Sequence, residues 1–389
     1  VILPKTAQNG RNMKQILIWT PATRLARSFI RSAWVTAALA LAAPPLAPAP
    51  AQAQLSKGEG DLRVMTYNVD EGTDFIEVAR ATNLMEFLIA VGQTITQVRA
   101  TNPPSRMQAV AKQIAAAAPM LVSLQELDQW YSGPFDSTTQ TCGPVSLEFD
   151  MLQELVAALS PTYQLAYQAL QYQFPPTPGL ISSGPLCVQV RNYIAILART
   201  DLSPSKFHWD NPQSAQYLNK TFFTTPSGQQ LPLPRAWVSV DANFHGKPFR
   251  FIGTHLESAD PTVREQQGIE LREGPAKTSV PVIIAMDANA QAAPQPQDPT
   301  YSDFIASGYN DAWSEIFPRT PGFTCCQAQL VNNAVSQLFQ RTDLILTLGN
   351  AEAQNIALFG TTPASKTPGG LWPSDHAAVA AQMAIERAE

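Results

Sequence analysis

Short apolar runs alternate with amphipathic stretches along most of the chain. Residues 62–69 (LRVMTYNV) are apolar and β-branched and read as a strand. Residues 74–99 place Phe75, Val78, Leu84, Phe87, Leu88, Val91 and Ile95 at helical spacing, and Asn102-Pro103-Pro104 breaks the pattern. Residues 105–118 predict a helix with Ser105 as N-cap and Met107, Val110 and Ile114 on one face, stopped by Pro119. A short buried strand is expected over 121–125 and an amphipathic helix over 150–160. Residues 163–172 and 188–198 read as strands separated by a Pro/Gly loop. Residues 206–234 are polar, proline-bearing and aromatic, and read as a long loop. Residues 235–244 and 248–255 predict a hairpin around His245-Gly246-Lys247, and 262–272 a helix. Residues 281–286, 342–348 and 377–384 complete the strands, the first with the continuous apolar run of a strand buried on both faces.

Interleaved strands and helices with hairpins among them exclude a purely parallel sheet. They predict an α/β fold in which two mixed β-sheets pack face to face with helices outside, a four-layer sandwich. Hydrophobic residues make up 45% of the 389, enough for a substantial core. No internal repeat and no linker divides the region from residue 61 onward, so one domain is expected over 61–389.

The first 53 residues hold six basic residues and no acidic one, so the remainder is more acidic than the net charge of −5 suggests. That counts against a broad basic footprint for duplex DNA. It does not exclude a nucleic-acid substrate, because a bound divalent cation would add local positive charge. Arginines precede a short apolar stretch and an Ala51-Gln52-Ala53 site, the pattern of an export signal cleaved after Ala53. The stretch is short for a membrane span and contains prolines. The expectation is a signal over 1–53, a short linker over 54–60, and a secreted or periplasmic product without a transmembrane anchor. Cys142, Cys187, Cys325 and Cys326 allow three pairings, and Cys142–Cys187 is the expected one, both sitting beside Gly/Pro loop sequence. Zinc fits poorly, with no C-x-x-C spacing and four histidines in all.

Polar residues recur where the strands end. Asn68 ends the first, Glu126 the next, His255 the hairpin, and Asp287 with Asn289 the buried strand. Asp343 begins RTDLILTL, and Asp375-His376 precede the last strand. Singly, each has an ordinary reading as a turn residue, a solvated acid or a structural histidine. Together they are unusual, because strand ends are where a rigid sheet presents side chains to one crevice. Their chemistry also fits one reaction. Glu126 and Asp375 are hard oxygen ligands for Mg²⁺ or Mn²⁺, with Asn68 and Asp70 as additional metal-site groups. His255 and His376 can stabilise phosphoryl oxygens, Asp287 can orient or deprotonate water, and Asn289 can hold phosphate. Asp343 beside His376 would fix the imidazole tautomer.

On the motifs T-Y-N-V, L-Q-E, T-H-L, D-x-N, R-x-D and S-D-H, in that order over residues 61–384, the chain resembles the endonuclease/exonuclease/phosphatase superfamily. This group includes DNase I, apurinic endonucleases, neutral sphingomyelinases and inositol-polyphosphate 5-phosphatases. The resemblance implies a DNase I-like sandwich. It assigns Glu126 and Asp375 to the metal, His255, Asp287, Asn289, Asp343 and His376 to catalysis, and Asn68, Asn289 and Asn192 to substrate. Thr324 matches a family threonine, and Asn192 aligns more loosely as a residue near His255. Met286 stands where the family usually has glycine. Residues 71–104 look longer than the usual connection and read as an extra packed helix, with an overhang of the cleft as the alternative. Phe174, Tyr217, Phe222 and Phe223 read as loop anchors, with contact to a base or a lipid as the alternative.

The function expected from these residues is an exported, divalent-metal-dependent phosphodiesterase acting by in-line water attack. Nucleic acid is the first substrate class and a lipid headgroup the second. A phosphate-binding domain without catalysis is the reading from another class, disfavoured because no motif residue is missing. A serine hydrolase lacks a G-x-S-x-G.

Overall fold

The computed structural model describes residues 61–386, so the expected export signal over 1–53 and linker over 54–60 lie outside the described residues. In chain order the elements begin with β1 (Leu62–Asn68), α1 (Ile76–Arg80), α2 (Leu84–Thr101), α3 (Pro103–Ala117), β2 (Leu121–Asp136), β3 (Thr141–Cys142), β4 (Ser146–Asp150) and α4 (Met151–Leu159). The middle of the chain forms β5 (Tyr163–Gln173), β6 (Thr177–Ile181), β7 (Gly184–Arg199), β8 (Phe207–Gln216), β9 (Thr221–Thr224), β10 (Gln230–Leu233), β11 (Ala236–Phe244) and β12 (Lys247–His255). The last part forms α5 (Pro261–Glu273), β13 (Val282–Asp287), α6 (Pro299–Ala306), β14 (Asn310–Asp311), α7 (Ala312–Ile316), β15 (Asp343–Leu348), β16 (Ala351–Phe359) and β17 (Ala378–Ile385).

Among the described residues one sheet runs β16-β17-β1-β2-β7-β5, with β3 and β4 on β2 and β6 on β7. The second runs β14-β15-β13-β12-β11-β8, and β9 and β10 form a separate ribbon. Period-two alternation builds the layers. In β1, Leu62 and Val64 face the inter-sheet core, while Met65 and Tyr67 face the outer helices. In β13, Ile283 and Ala285 face inward, and Val282, Ile284 and Met286 face outward. Both faces of β13 are covered, which is why its sequence is apolar without a break. Helices α3 and α4 cover the first sheet through Met107, Val110, Ile114, Met151 and Leu155. Helices α5 and α6 cover the second through Leu271, Tyr301 and Phe304. The expected four-layer α/β sandwich is the observed one.

Two parallel pairings decide where chemistry can occur. β1 runs parallel to β2, with Asn68 opposite Gln125, and β12 runs parallel to β13, with His255 opposite Asp287. Parallel neighbours end at the same edge, so each sheet offers its polar strand ends on one side. Antiparallel β15 places its first residue, Asp343, opposite Asp287.

Several elements differ from expectation. The helix expected over 74–99 is two helices, because Asn83 caps a fresh start by accepting from Glu86 N. The next helix begins at Pro103, two residues early. Asn102, with φ 49°, is the cap, and the prolines occupy first-turn positions that need no N–H. The strand expected over 121–125 continues to Asp136 past an irregularity between Leu124 and Leu127. The Pro/Gly loop between β5 and β7 contains β6. The long loop expected over 206–234 is β8 and the β9–β10 ribbon. β8 is an edge strand, so its polar face and Pro212 are tolerated where no second neighbour needs an N–H. Cys142 is bonded to Cys187 as expected, and Cys325 to Cys326.

Helix α2 is seated on β6 backbone to backbone. A Cβ on Gly92 would collide with the Leu180 carbonyl, and one on Gly179 would lie 2.9 Å from Gly92 N. This packing seats α2 against the edge of the first sheet.

Candidate active site

One side chain joins the edges of the two sheets. Asn68 Nδ2 donates to Glu126 Oε1 at 2.8 Å in its own sheet and to Asp287 Oδ2 at 3.0 Å in the other. Its oxygen accepts from Asp70 N at 3.0 Å. Asn68 is fully buried and acts as a clamp that sets two carboxylates at fixed orientation. Glu126 sits at the β2 irregularity with φ 59°, a strained backbone that turns its side chain out of the strand alternation. Asp70 (φ 62°) and Asn289 (φ 49°) share the left-handed conformation, which Asp and Asn tolerate better than Glu.

The carboxylates are crowded. Asp375 is pushed up to about 8 by burial and by the negative fields of Asp70 and Glu126, against the pull of His376. Burial and Glu126 likewise hold Asp70 above the ordinary carboxylate range, opposed by Arg106. Asp70 Oδ2 lies 3.5 Å from Arg106 Nη1 and has no hydrogen-bond partner. An all-oxygen set with excess negative charge and an unsatisfied buried carboxylate oxygen fits a hard divalent cation. Two groups of three also bring their ligand atoms within 4.8 Å of one another, Glu126–His255–Asp287 and Asp287–Asp343–His376. Asp375 stands outside both. A third group, Cys325–Cys326–His376, has its sulfurs bonded to each other and offers no thiolate.

The two histidines differ in charge. His376 Nδ1 contacts Asp343 Oδ2 at 2.7 Å. Burial opposes its charged form, but Asp343, Asp375 and Asp287 outweigh burial and hold its pKa well above the ordinary value. Its Nε2 lies 4.0 Å from both Asp287 Oδ2 and Asp375 Oδ2, so a donor faces the gap between them. His255 is held well below the ordinary value by burial, Arg235 and His376. Arg235 Nη1 lies 3.1 Å from His255 Nδ1, and Asn289 Nδ2, which donates to Leu256 O, lies 3.0 Å from His255 Nε2, so donors face both ring nitrogens. That Nε2 also lies 3.5 Å from Asp287 Oδ2. Asn289 N donates to Asp287 Oδ1 at 2.9 Å. Burial and Asp343 raise the Asp287 carboxyl, while His376 and Asn68 oppose them. Thr324 Oγ1 accepts from Thr342 N and Asp343 N, which anchors the start of β15.

The structure thus brings Asn68, Asp70, Glu126, His255, Asp287, Asn289, Asp343, Asp375 and His376 to one edge. Asn192, expected beside His255, instead donates to Glu71 Oε2 at 2.9 Å and Asp128 Oδ1 at 2.7 Å. The cross-strand register decides this, because Asn192 lies opposite Asp128. Glu71 also accepts from Tyr172 Oη, and burial and Glu126 push its carboxyl well up.

Sequence reasoning missed Glu71, Asp128, Arg235 and Arg106. Arg106 is fully buried and donates to the carbonyls of Val69, Asp70, Thr101 and Pro373. It ties α3, the end of β1 and the segment before Asp375. A cation in a helix after T-Y-N-V was the available signal. Arg106→Leu is expected to lower stability by about 3–5 kcal/mol, since it leaves Asp70 and four carbonyls unpaired; urea denaturation monitored by circular dichroism checks this.

No family model matches the chain, and no curated protein matches its sequence. Solved structures do. An endonuclease/exonuclease/phosphatase family protein from Bacteroides thetaiotaomicron superposes at TM-score 0.50 with 16% identity, covering 84% of this chain and 98% of its own. D. rerio TDP2 complexed with a single-strand DNA product superposes at 0.50 with 16% identity, covering 84% and 100%. A functionally unknown conserved protein from Enterococcus faecalis V583 gives 0.50 at 15% identity, with 84% and 100% covered. The fold is that of the endonuclease/exonuclease/phosphatase proteins.

Proposed function

We propose that the chain is a divalent-metal-dependent phosphodiester hydrolase. The observation that carries this reading is the Asn68 clamp, which sets Glu126 of one sheet and Asp287 of the other across a single gap. Glu126, with Asp375 and Asp70, would hold Mg²⁺ or Mn²⁺, which supplies Lewis-acid polarisation of a phosphoryl oxygen. Asp287, fixed by Asn289 N and Asn68, orients a water and accepts its proton. The charged His376, held by Asp343, donates from Nε2 to a phosphoryl oxygen placed between Asp287 and Asp375. His255, a neutral imidazole held between Arg235 at Nδ1 and Asn289 at Nε2, lies 3.5 Å from Asp287 Oδ2 and keeps that carboxylate in place. Water attacks phosphorus as its proton passes to Asp287, the bond from phosphorus to the ester oxygen breaks, the leaving oxygen takes a proton from solvent water, and Asp287 returns its proton to solvent.

Nucleic acid is one substrate class compatible with this reading, supported by the motif set and by the fold shared with D. rerio TDP2, whose structure carries a single-strand DNA product. A phosphodiester bearing a lipid chain is the other, and an apolar cavity beside the site favours it. Export to the periplasm or exterior is part of the proposal and rests on the sequence of residues 1–53. No helix among the described residues is long and apolar enough to cross a membrane. Assaying bis-p-nitrophenyl phosphate, single-stranded DNA, RNA and sphingomyelin, each with Mg²⁺, Mn²⁺ or EDTA, tests the proposal. Metal-dependent release from at least one is expected, and folded protein inert on all four would overturn it.

A further inference from the structure

The extra segment after β1 does more than pack. With the β9–β10 ribbon it roofs a cavity of about 490 Å³ whose floor is the outer part of β2, β5 and β7. The roof closes where Phe87 of α2 stacks on Phe223 of β9, ring centroids 6.1 Å apart. The floor is aromatic too: Phe75 stacks on Trp130 at 5.9 Å, and Phe174 lies 5.5 Å from Tyr172. The volume falls within the range of small-molecule sites, and such sites are mostly apolar with a few polar groups that fix orientation.

The polar end of this cavity is the catalytic edge itself. Arg235 lines it and also contacts His255 Nδ1 at 3.1 Å. Glu71 lines it and donates its backbone N–H to Glu126 Oε2 at 3.0 Å. A phosphoryl group at Glu126 and Asp287 therefore sits one side chain away from an apolar chamber. Ile76 and Phe222 line the chamber while 40% and 53% exposed, and Leu84 and Met85, in the first turn of α2 and outside the lining, are 67% and 59% exposed. Exposed large apolar side chains on the wall of a cavity mark a surface that meets something apolar.

We infer that this cavity is a substrate subsite for a hydrocarbon chain, and that the phosphodiester cleaved here is an amphiphile. The inference rests on the phosphodiesterase reading and names the substrate class of the same site. A nucleobase is the poorer occupant. Its recognition needs hydrogen-bonding groups along the base edges, and this lining is mainly phenyl and aliphatic. A chain gains instead from every methylene it removes from water. Arg235 and Glu71 join the lining to the catalytic edge, while Phe75, Phe87, Phe174, Trp130 and the exposed Phe222 supply apolar wall, the two kinds of surface an amphiphile requires.

The test is calorimetric titration of the full chain with n-alkylphosphocholines of increasing length, kept below their micelle thresholds. The affinity is expected to rise about fourfold per added methylene until the cavity is filled. Ala79→Trp, which places a bulky ring at an exposed lining position of α1, is expected to flatten that rise, and so is Phe222→Ser on the opposite lip. Thermal unfolding of both variants reports whether they fold. No dependence on chain length in the wild type, or one that both folded variants leave intact, would overturn the inference. So would binding of single-stranded DNA, but not of alkyl chains, that Ala79→Trp weakens. Turnover of bis-p-nitrophenyl phosphate by the wild type is measured beside these titrations. Its absence counts against the phosphodiesterase reading, while the titrations still decide whether the cavity takes a chain.

Discussion

Asp287→Asn is expected to lower kcat on bis-p-nitrophenyl phosphate by about 10²–10⁴-fold, the usual contribution of a positioned proton acceptor. The substitution nearly preserves shape. Asparagine Oδ1 can still accept from Asn289 N, which retains the turn after β13, but its Nδ2 then faces the Asn68 Nδ2 that Asp287 Oδ2 accepts from. The ability to take a proton is lost. Two effects on stability oppose each other: Asn68 Nδ2 loses its acceptor, and a buried charge is removed. Burial and Asp343 raise the folded-state pKa of Asp287 above its unfolded value, so ionisation at neutral pH costs stability in the folded state. A neutral side chain removes that cost. Cooperative thermal unfolding with collapsed turnover separates chemistry from folding. Turnover near wild type would remove Asp287 from the reaction.

Glu126→Gln is expected to raise the Mg²⁺ concentration for half-maximal activity by more than about 10–100-fold, the loss typical of a merely supporting residue. Both Glu126 oxygens already accept hydrogen bonds, from Asn68 Nδ2 at 2.8 Å and Glu71 N at 3.0 Å. Glutamine must set its own donor against one of these donors and loses the charge as well. The variant tilts away from the site that Asp70 and Asp375 share with it. Titrating activity with Mg²⁺ reads the effect, and partial recovery at high metal distinguishes weaker binding from misfolding. An unchanged midpoint would place the ion elsewhere.

Much of this site was legible in the chain because its residues fall at strand ends. A strand end announces itself as a polar residue closing an apolar run, as in VIIAMD or FRFIGTH, and the fold then brings those ends to one edge. The illegible part lies within the strands. Asp128 and Asn192 occupy polar positions in long strands that alternate like any half-exposed strand, and only the register between β2 and β7 pairs them. Arg235 precedes β11 without a pattern of its own, yet it holds the ring of His255 twenty residues away. The roof of the cavity was illegible for another reason. Tyr217, Phe222 and Phe223 look alike in a polar loop, but Tyr217 is buried against Thr254 while Phe222 and Phe223 face the chamber. Only the ribbon pairing of β9 with β10 separates them.

The most direct test of the central claim is hydrolysis of bis-p-nitrophenyl phosphate by the full chain with Mg²⁺, after EDTA, and after Mg²⁺ is restored in excess. Turnover that disappears with EDTA, returns with Mg²⁺ and is lost in Asp287→Asn is the predicted result. Turnover indifferent to EDTA, or folded protein that binds Mg²⁺ and cleaves no phosphodiester, would contradict it.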